Sequence, residues 1–182
     1  LQLKQIGERS QGYKWMHNEE SDYMTNYLQR LTLFEIIFTT LHGASLASSL
    51  VALFSDMGVL VLVIFTCLQT ALYVISTVLK TYKEASDFSS RIMSHHNTCI
   101  RFSSLAVQIQ NQFCLPVSKR VDDESFLEYK SNEFNDILLG APSIRETTKT
   151  AYLESVKNID IAKPLSLGNI GQIEIVIDKG DE

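Results

Sequence analysis

Residues 59–79 (VLVLVIFTCLQTALYVISTVL) form a run of 21 without one formal charge, and residues 31–54 (LTLFEIIFTTLHGASLASSLVALF) carry only Glu35. A bilayer core of about 30 Å needs roughly 20 helical residues at about 1.5 Å each. Both stretches reach that length. They are separated by Ser55-Asp56-Met57-Gly58, a four-residue link rich in turn formers, so the second helix must return antiparallel to the first. The expected fold is an all-α integral membrane protein built on a two-helix hairpin. Two buried helices of a soluble bundle are the competing reading, but an uncharged run of this length is unusual in a globular core. The first apolar stretch starts 30 residues in and exceeds an h-region, which argues against a secretory signal.

Basic residues orient the hairpin. Lys14 and Arg30 precede it and Lys80, Lys83 and Arg91 follow it, whereas the tip holds only Asp56. The positive-inside rule then places both termini in the cytosol and the tip outside or in a lumen. Tyr13, Trp15, Tyr23, Tyr27 and Tyr82 supply aromatic groups for the interfaces. The three cysteines are too few, and odd in number, for a disulfide scaffold. A net charge of -5 disfavours nucleic acid as a partner.

The flanks read as helices. Residues 1–30 form an N-terminal amphipathic segment, 31–79 the hairpin, 80–163 a cytosolic helical domain and 164–182 a tail. Phe88, Ile92, Cys99, Phe102, Ala106, Ile109 and Phe113 recur at helical spacing as one apolar stripe. No Pro or Gly interrupts residues 59–114, so the second span is expected to continue straight into the cytosol until Pro116. A single subunit is not expected to cover that stripe, which points to a symmetric homo-oligomer. A further helix is expected from Asp122-Asp123 to Gly140, and Ser143-Ile144-Arg145-Glu146 reads as a capping box opening another over 144–158. Gln172–Asp178 alternates as a short strand.

Polar residues inside membrane helices are costly, and so they are informative. Glu35, His42, Ser49 and Asp56 recur every seven residues, with Thr39 and Ser45 on the same side. Around an axis shared by several copies, this stripe would line a water-filled hole. A Glu35 ring would favour permeant cations and a His42 ring would titrate near neutral pH. The second helix has a weaker polar face at Thr66, Gln69, Thr70, Tyr73 and Thr77. Closing an axis with two helices per subunit takes roughly four to six copies. The alternative is that Gly43, Ala44, Ser45, Ala47, Ser48 and Ser49 serve close helix packing and that Glu35 bonds the second helix at Thr77 or Tyr73. The chain would then be a non-conducting membrane scaffold whose cytosolic helices bind a protein. His95-His96-x-x-Cys99 has metal-like spacing, but no second cluster completes a ligand set, so no metal is expected. No phosphate loop and no nucleophile or zincin motif is present, so neither a cofactor nor an enzymatic activity is expected.

Tyr13-Lys14-Trp15-Met16-His17 before the hairpin and the Thr-Leu-His-Gly-Ala-Ser run in the first span resemble the SLATT family of two-transmembrane effectors. Glu133-Phe134-Asn135-Asp136-Ile137-Leu138, then Ala141-Pro142-Ser143-Ile144 and Lys163-Pro164, are similar to its cytosolic elements. The arrangement is most similar to stand-alone members from giant DNA viruses. The resemblance spans roughly residues 8–165 and implies an oligomeric membrane pore with no catalytic residues.

Overall fold

The computed structural model describes residues 2–54 and 58–164. Five α-helices follow one another: α1 (Gln2–Phe54), α2 (Val59–Ala85), α3 (Phe88–Cys114), α4 (Asp123–Leu139) and α5 (Glu146–Ser155), with a 3-10 turn at Val117–Lys119 before α4. No strand occurs among the described residues. The expected strand at Gln172–Asp178 lies outside them, as does Asp56. Two of the helices are long and apolar enough to cross a membrane.

The chain divides into two compact units, one holding residues up to Glu20 and from His95 onward, the other Ser21–Ser94. In the first unit, the start of α1 packs against α3, α4 and α5. Its core is Tyr13, Met16, Phe102, Leu105, Ile109, Phe134, Ile137, Tyr152 and Val156, all buried. The Tyr13 and Phe102 rings stack at 5.1 Å between centroids, and Phe134 tilts against both at 6.0 and 5.8 Å. Burying a side chain of this size contributes about 1.5–3 kcal/mol. The spacing-derived stripe of α3 is therefore covered within one chain at Cys99, Phe102, Ala106 and Ile109, with Phe113 left exposed. The expectation that a second copy must cover it does not hold.

Two local features differ from the sequence-based expectation. The helix that begins at Val59 ends at Ala85, and Asp87 takes a left-handed conformation at φ 44° before α3 starts. Asp accepts that conformation more readily than most residues, so a break needs neither Pro nor Gly. At α5, Ser143 makes no cap. The helix opens at Glu146, and the backbone N–H of Arg145 donates instead to the Glu20 carboxylate of α1 at 3.1 Å. The start of α4 is as expected, with Asp122 accepting from the Ser125 backbone N–H at 3.1 Å.

α1 and α5 approach closely at Gly12. A Cβ there would meet the Tyr152 hydroxyl at 2.5 Å and Pro164 Cγ at 2.6 Å, so only glycine fits. Glu8 pins the following segment by accepting from the Ala162 backbone N–H at 2.8 Å.

Candidate functional site: the hairpin and its polar side

α1 and α2 run antiparallel in the second unit, and polar pairs join them. The Lys83 ammonium donates to the Glu35 carboxylate in an ion pair. The Thr39 and Ser76 hydroxyls meet at 2.9 Å. His42 Nδ1 donates to the Gln69 carbonyl at 3.2 Å, and its ring lies 5.6 Å from that of Tyr73. Ser45 is buried with no hydrogen-bond partner for its hydroxyl among the described residues, and Ser49 donates to the Ser45 carbonyl at 2.9 Å. Glu35 thus bonds the second helix, but at Lys83 rather than at Thr77 or Tyr73.

Most of the stripe that spacing assigned to a pore is turned toward α2. Lys83 and Ser76 are the partners that the pattern alone did not single out. A signal for a basic partner existed, since Glu35 lies 20 residues before Ser55 and Lys80 and Lys83 lie 22 and 25 beyond Gly58, but position alone favoured Lys80.

A second property emerges from the helix phases. At about 100° per residue, with Glu35, Thr39 and His42 marking the α1 contact and Gln69, Ser76 and Lys83 marking that of α2, antiparallel helices put their same-phase flanks on one side of the hairpin. That side carries Thr32, Ile36, Thr39, Thr40, Gly43 and Ala47 from α1, and Val59, Val63, Thr66, Thr70, Tyr73 and Thr77 from α2, a mixture in which threonines are enriched. The opposite side carries Phe34, Phe38, Leu41, Ser45 and Ser48 with Ile64, Leu68 and Ile75, while Leu60 and Val78 point away from the contact. Thr66, Thr70, Tyr73 and Thr77 are exposed, and the three threonine hydroxyls donate to the carbonyls of Leu62, Thr66 and Tyr73 four residues earlier. Their lone pairs remain open to outside donors. Gly43 faces open space, with nothing within 4 Å of an added Cβ. At one end of this side, Thr32, Glu35, Ile36, Thr39, Thr40 and Lys83 line a groove of about 350 Å³. Two polar faces that the sequence presents separately are therefore one surface.

The first unit holds a buried polar cluster. His17 and His95 face each other through their Nδ1 atoms at 2.9 Å, so one ring donates and the other accepts. His17 stacks on Phe102 with centroids 6.0 Å apart, and its Nε2 is buried without a hydrogen-bond partner among the described residues. Burial, and then the neighbouring His95, push the His17 pKa down to about 4 against a smaller opposing effect of Glu20. Glu20 is fully buried and accepts from Thr148 Oγ1 at 2.6 Å and from the Arg145 guanidinium at 2.8 Å. Burial raises its pKa, but the hydrogen bonds from Thr148 and Arg145 outweigh that and hold it below the usual carboxylate range. No group of three metal-binding side chains occurs among the described residues. His95 instead packs against His17, a pairing across 78 residues that no local spacing announces.

Comparison with protein-family models, curated proteins and solved structures finds no match.

Proposed function

We propose that the chain is an integral membrane protein that inserts its hairpin with both ends in the cytosol, assembles symmetrically with its own copies and forms an ion-conducting pore. The observation that carries this reading is the two-sided hairpin. Lipid can solvate the side built from Phe34, Leu41, Ile64, Leu68 and Ile75. The side built from Thr39, Thr40, Gly43, Thr66, Thr70 and Thr77 also holds Ile36 and Val63, but it carries more hydroxyl groups than the first. In a ring of copies it faces the axis, where water satisfies the hydroxyl lone pairs. The wall is then shared by both helices, with the Glu35–Lys83 pair lining one end of it and the His42–Gln69 contact bracing it from behind. With Lys83 neutralising Glu35, charge selectivity at that level is weak, in place of the cation preference of a bare carboxylate ring.

The test is single-channel recording from purified protein in planar bilayers, comparing Gly43→Leu with Leu41→Ala. Gly43→Leu fills open space on the polar side without disturbing the hairpin contact, so unitary conductance should fall several-fold. Leu41→Ala lies on the lipid side and should leave conductance unchanged. Absence of current from inserted protein, or equal currents in Gly43→Leu and wild type, would overturn the pore.

The scaffold reading is favoured by a different observation: Glu35, Thr39 and His42 are all satisfied inside one hairpin, which requires no water. On that reading Glu35→Gln changes stability or assembly alone.

A further inference from the structure

The groove at Glu35 and Lys83 adjoins a second groove of about 370 Å³ in the same unit, and the two share Thr32 and Lys83. The second is lined by Lys83, Glu84, Asp87, Phe88 and Ser89 together with Leu28 and Thr32. Its two acids are not neutralised. Glu84 and Asp87 are exposed, and neither carboxylate enters an ion pair among the described residues. An ammonium has three donors, so Lys83 keeps two after its contact with Glu35. The Thr32 hydroxyl makes no hydrogen bond among the described residues, whereas those of Thr40, Thr66, Thr70 and Thr77 donate to the carbonyl four residues earlier. Lys83 and Glu84 stand four and five residues past Leu79, where the uncharged run ends. At about 1.5 Å per residue that is about 6–8 Å beyond the hydrocarbon edge, in the headgroup layer, with Asp87 further toward water.

We infer that this groove seats the headgroup of an aminophospholipid of the phosphatidylethanolamine type, its phosphate against Lys83 and Thr32 and its primary ammonium against Glu84 and Asp87. The order of charges matches the order of the headgroup: the phosphate lies nearer the acyl chains and the amine nearer water. Each contact is then a charge-assisted hydrogen bond. An anionic headgroup is disfavoured, because two carboxylates face it and the one ammonium is already shared with Glu35. Choline offers no N–H to the carboxylates and is bound through open aromatic faces. Phe88, the one aromatic lining residue among the described residues, is instead buried and packed by Tyr27 and Tyr82 at 5.5 and 6.1 Å between centroids. The adjoining groove, where Ile36 is 57% exposed, leads from Lys83 along the span and receives the start of an acyl chain. The site rests on the membrane insertion proposed above and not on conduction. In a ring of copies it lies at the cytosolic end of the wall, where a seated lipid narrows the mouth.

Native mass spectrometry of the full chain in detergent tests the site, with phosphatidylethanolamine, phosphatidylcholine and phosphatidylglycerol of identical acyl chains as probes. Wild type should retain phosphatidylethanolamine at least tenfold more than either of the others. Glu84→Gln combined with Asp87→Asn should lower it to the phosphatidylcholine level. Asn accepts the left-handed conformation of position 87, so the break before α3 is kept, and unchanged helicity by circular dichroism would show it. Glu124→Gln combined with Glu128→Gln removes two exposed acids from the other unit and should leave the preference intact. Equal binding of phosphatidylethanolamine and phosphatidylcholine, stronger binding of phosphatidylglycerol, or a preference that survives the groove double variant would overturn the site. So would displacement by soluble phosphoethanolamine at the lipid's own concentration, which would make the ligand a free headgroup. Flotation with phosphatidylcholine vesicles separates the two readings. A chain that floats without favouring phosphatidylethanolamine keeps its place in the membrane and loses the site, whereas a chain that does not float loses both.

Discussion

Acidification should unfold the first unit by charging His17. In the unfolded chain this imidazole takes up a proton near its ordinary 6.5, whereas in the folded unit it resists until about 4. Between those values the unfolded state holds more protons, so stability falls as pH falls from about 6.5 and levels off near 4. Above about 6.5 the residue has no effect. The full gap corresponds to about 3 kcal/mol at about 1.4 kcal/mol per pH unit, and at pH 4.5 about 2.5 kcal/mol of it has been lost. Glu20, whose folded pKa is depressed, adds a loss of its own only below its ordinary 4.5, so the upper part of the window belongs to His17. The assay is urea unfolding of the full chain in detergent, followed by the emission of Trp15, the single tryptophan. Because Trp15 packs against Tyr152, it reports on the first unit alone. His17→Gln keeps a polar group opposite His95 but removes the titration, and should flatten at least half of the dependence between pH 7 and 4.5. An equally steep loss in His17→Gln would refute the assignment.

Three further outcomes follow from named contacts. Gly12→Ala drives a methyl group into the Tyr152 hydroxyl and Pro164, and should cost about 1–3 kcal/mol in the same unfolding assay. Thr148→Val removes a donor from the buried Glu20 carboxylate, leaving Arg145 to hold it, and should destabilise by about 1–3 kcal/mol at pH 7 with a smaller penalty near pH 4. In the pore, Lys83→Gln uncovers the Glu35 ring and should move the reversal potential under a KCl gradient toward the K⁺ value, while Glu35→Gln should move it the other way.

Length, hydropathy and turn chemistry were enough to place the two apolar helices, because an uncharged run of 21 residues has few other solutions. The buried stripe at Cys99, Phe102, Ala106 and Ile109 and the Asp122 cap were legible for the same reason: each depends on neighbours within one or two turns. What covers that stripe was not legible. Tyr13 and Met16 reach it from almost 90 residues away, and periodicity records which face is apolar without recording what meets it. The break at Asp87 escaped notice because it rests on one left-handed residue that is neither Gly nor Pro.

The candidate site divides along the same line. Local spacing identified Glu35, Thr39 and His42 on α1, and Thr66, Thr70, Tyr73 and Thr77 on α2, as separate stripes. Only the antiparallel pairing showed that the first stripe is spent on Ser76, Gln69 and Lys83, and that the flanks of both helices merge into one polar side. The relative rotation of two helices is set by contacts between them, and a one-dimensional pattern contains no such angle. The same limit explains the buried pair of His17 and His95 and the capping of α5 by Glu20. Each joins side chains whose separation along the chain is long and whose meeting is decided by how the helices pack.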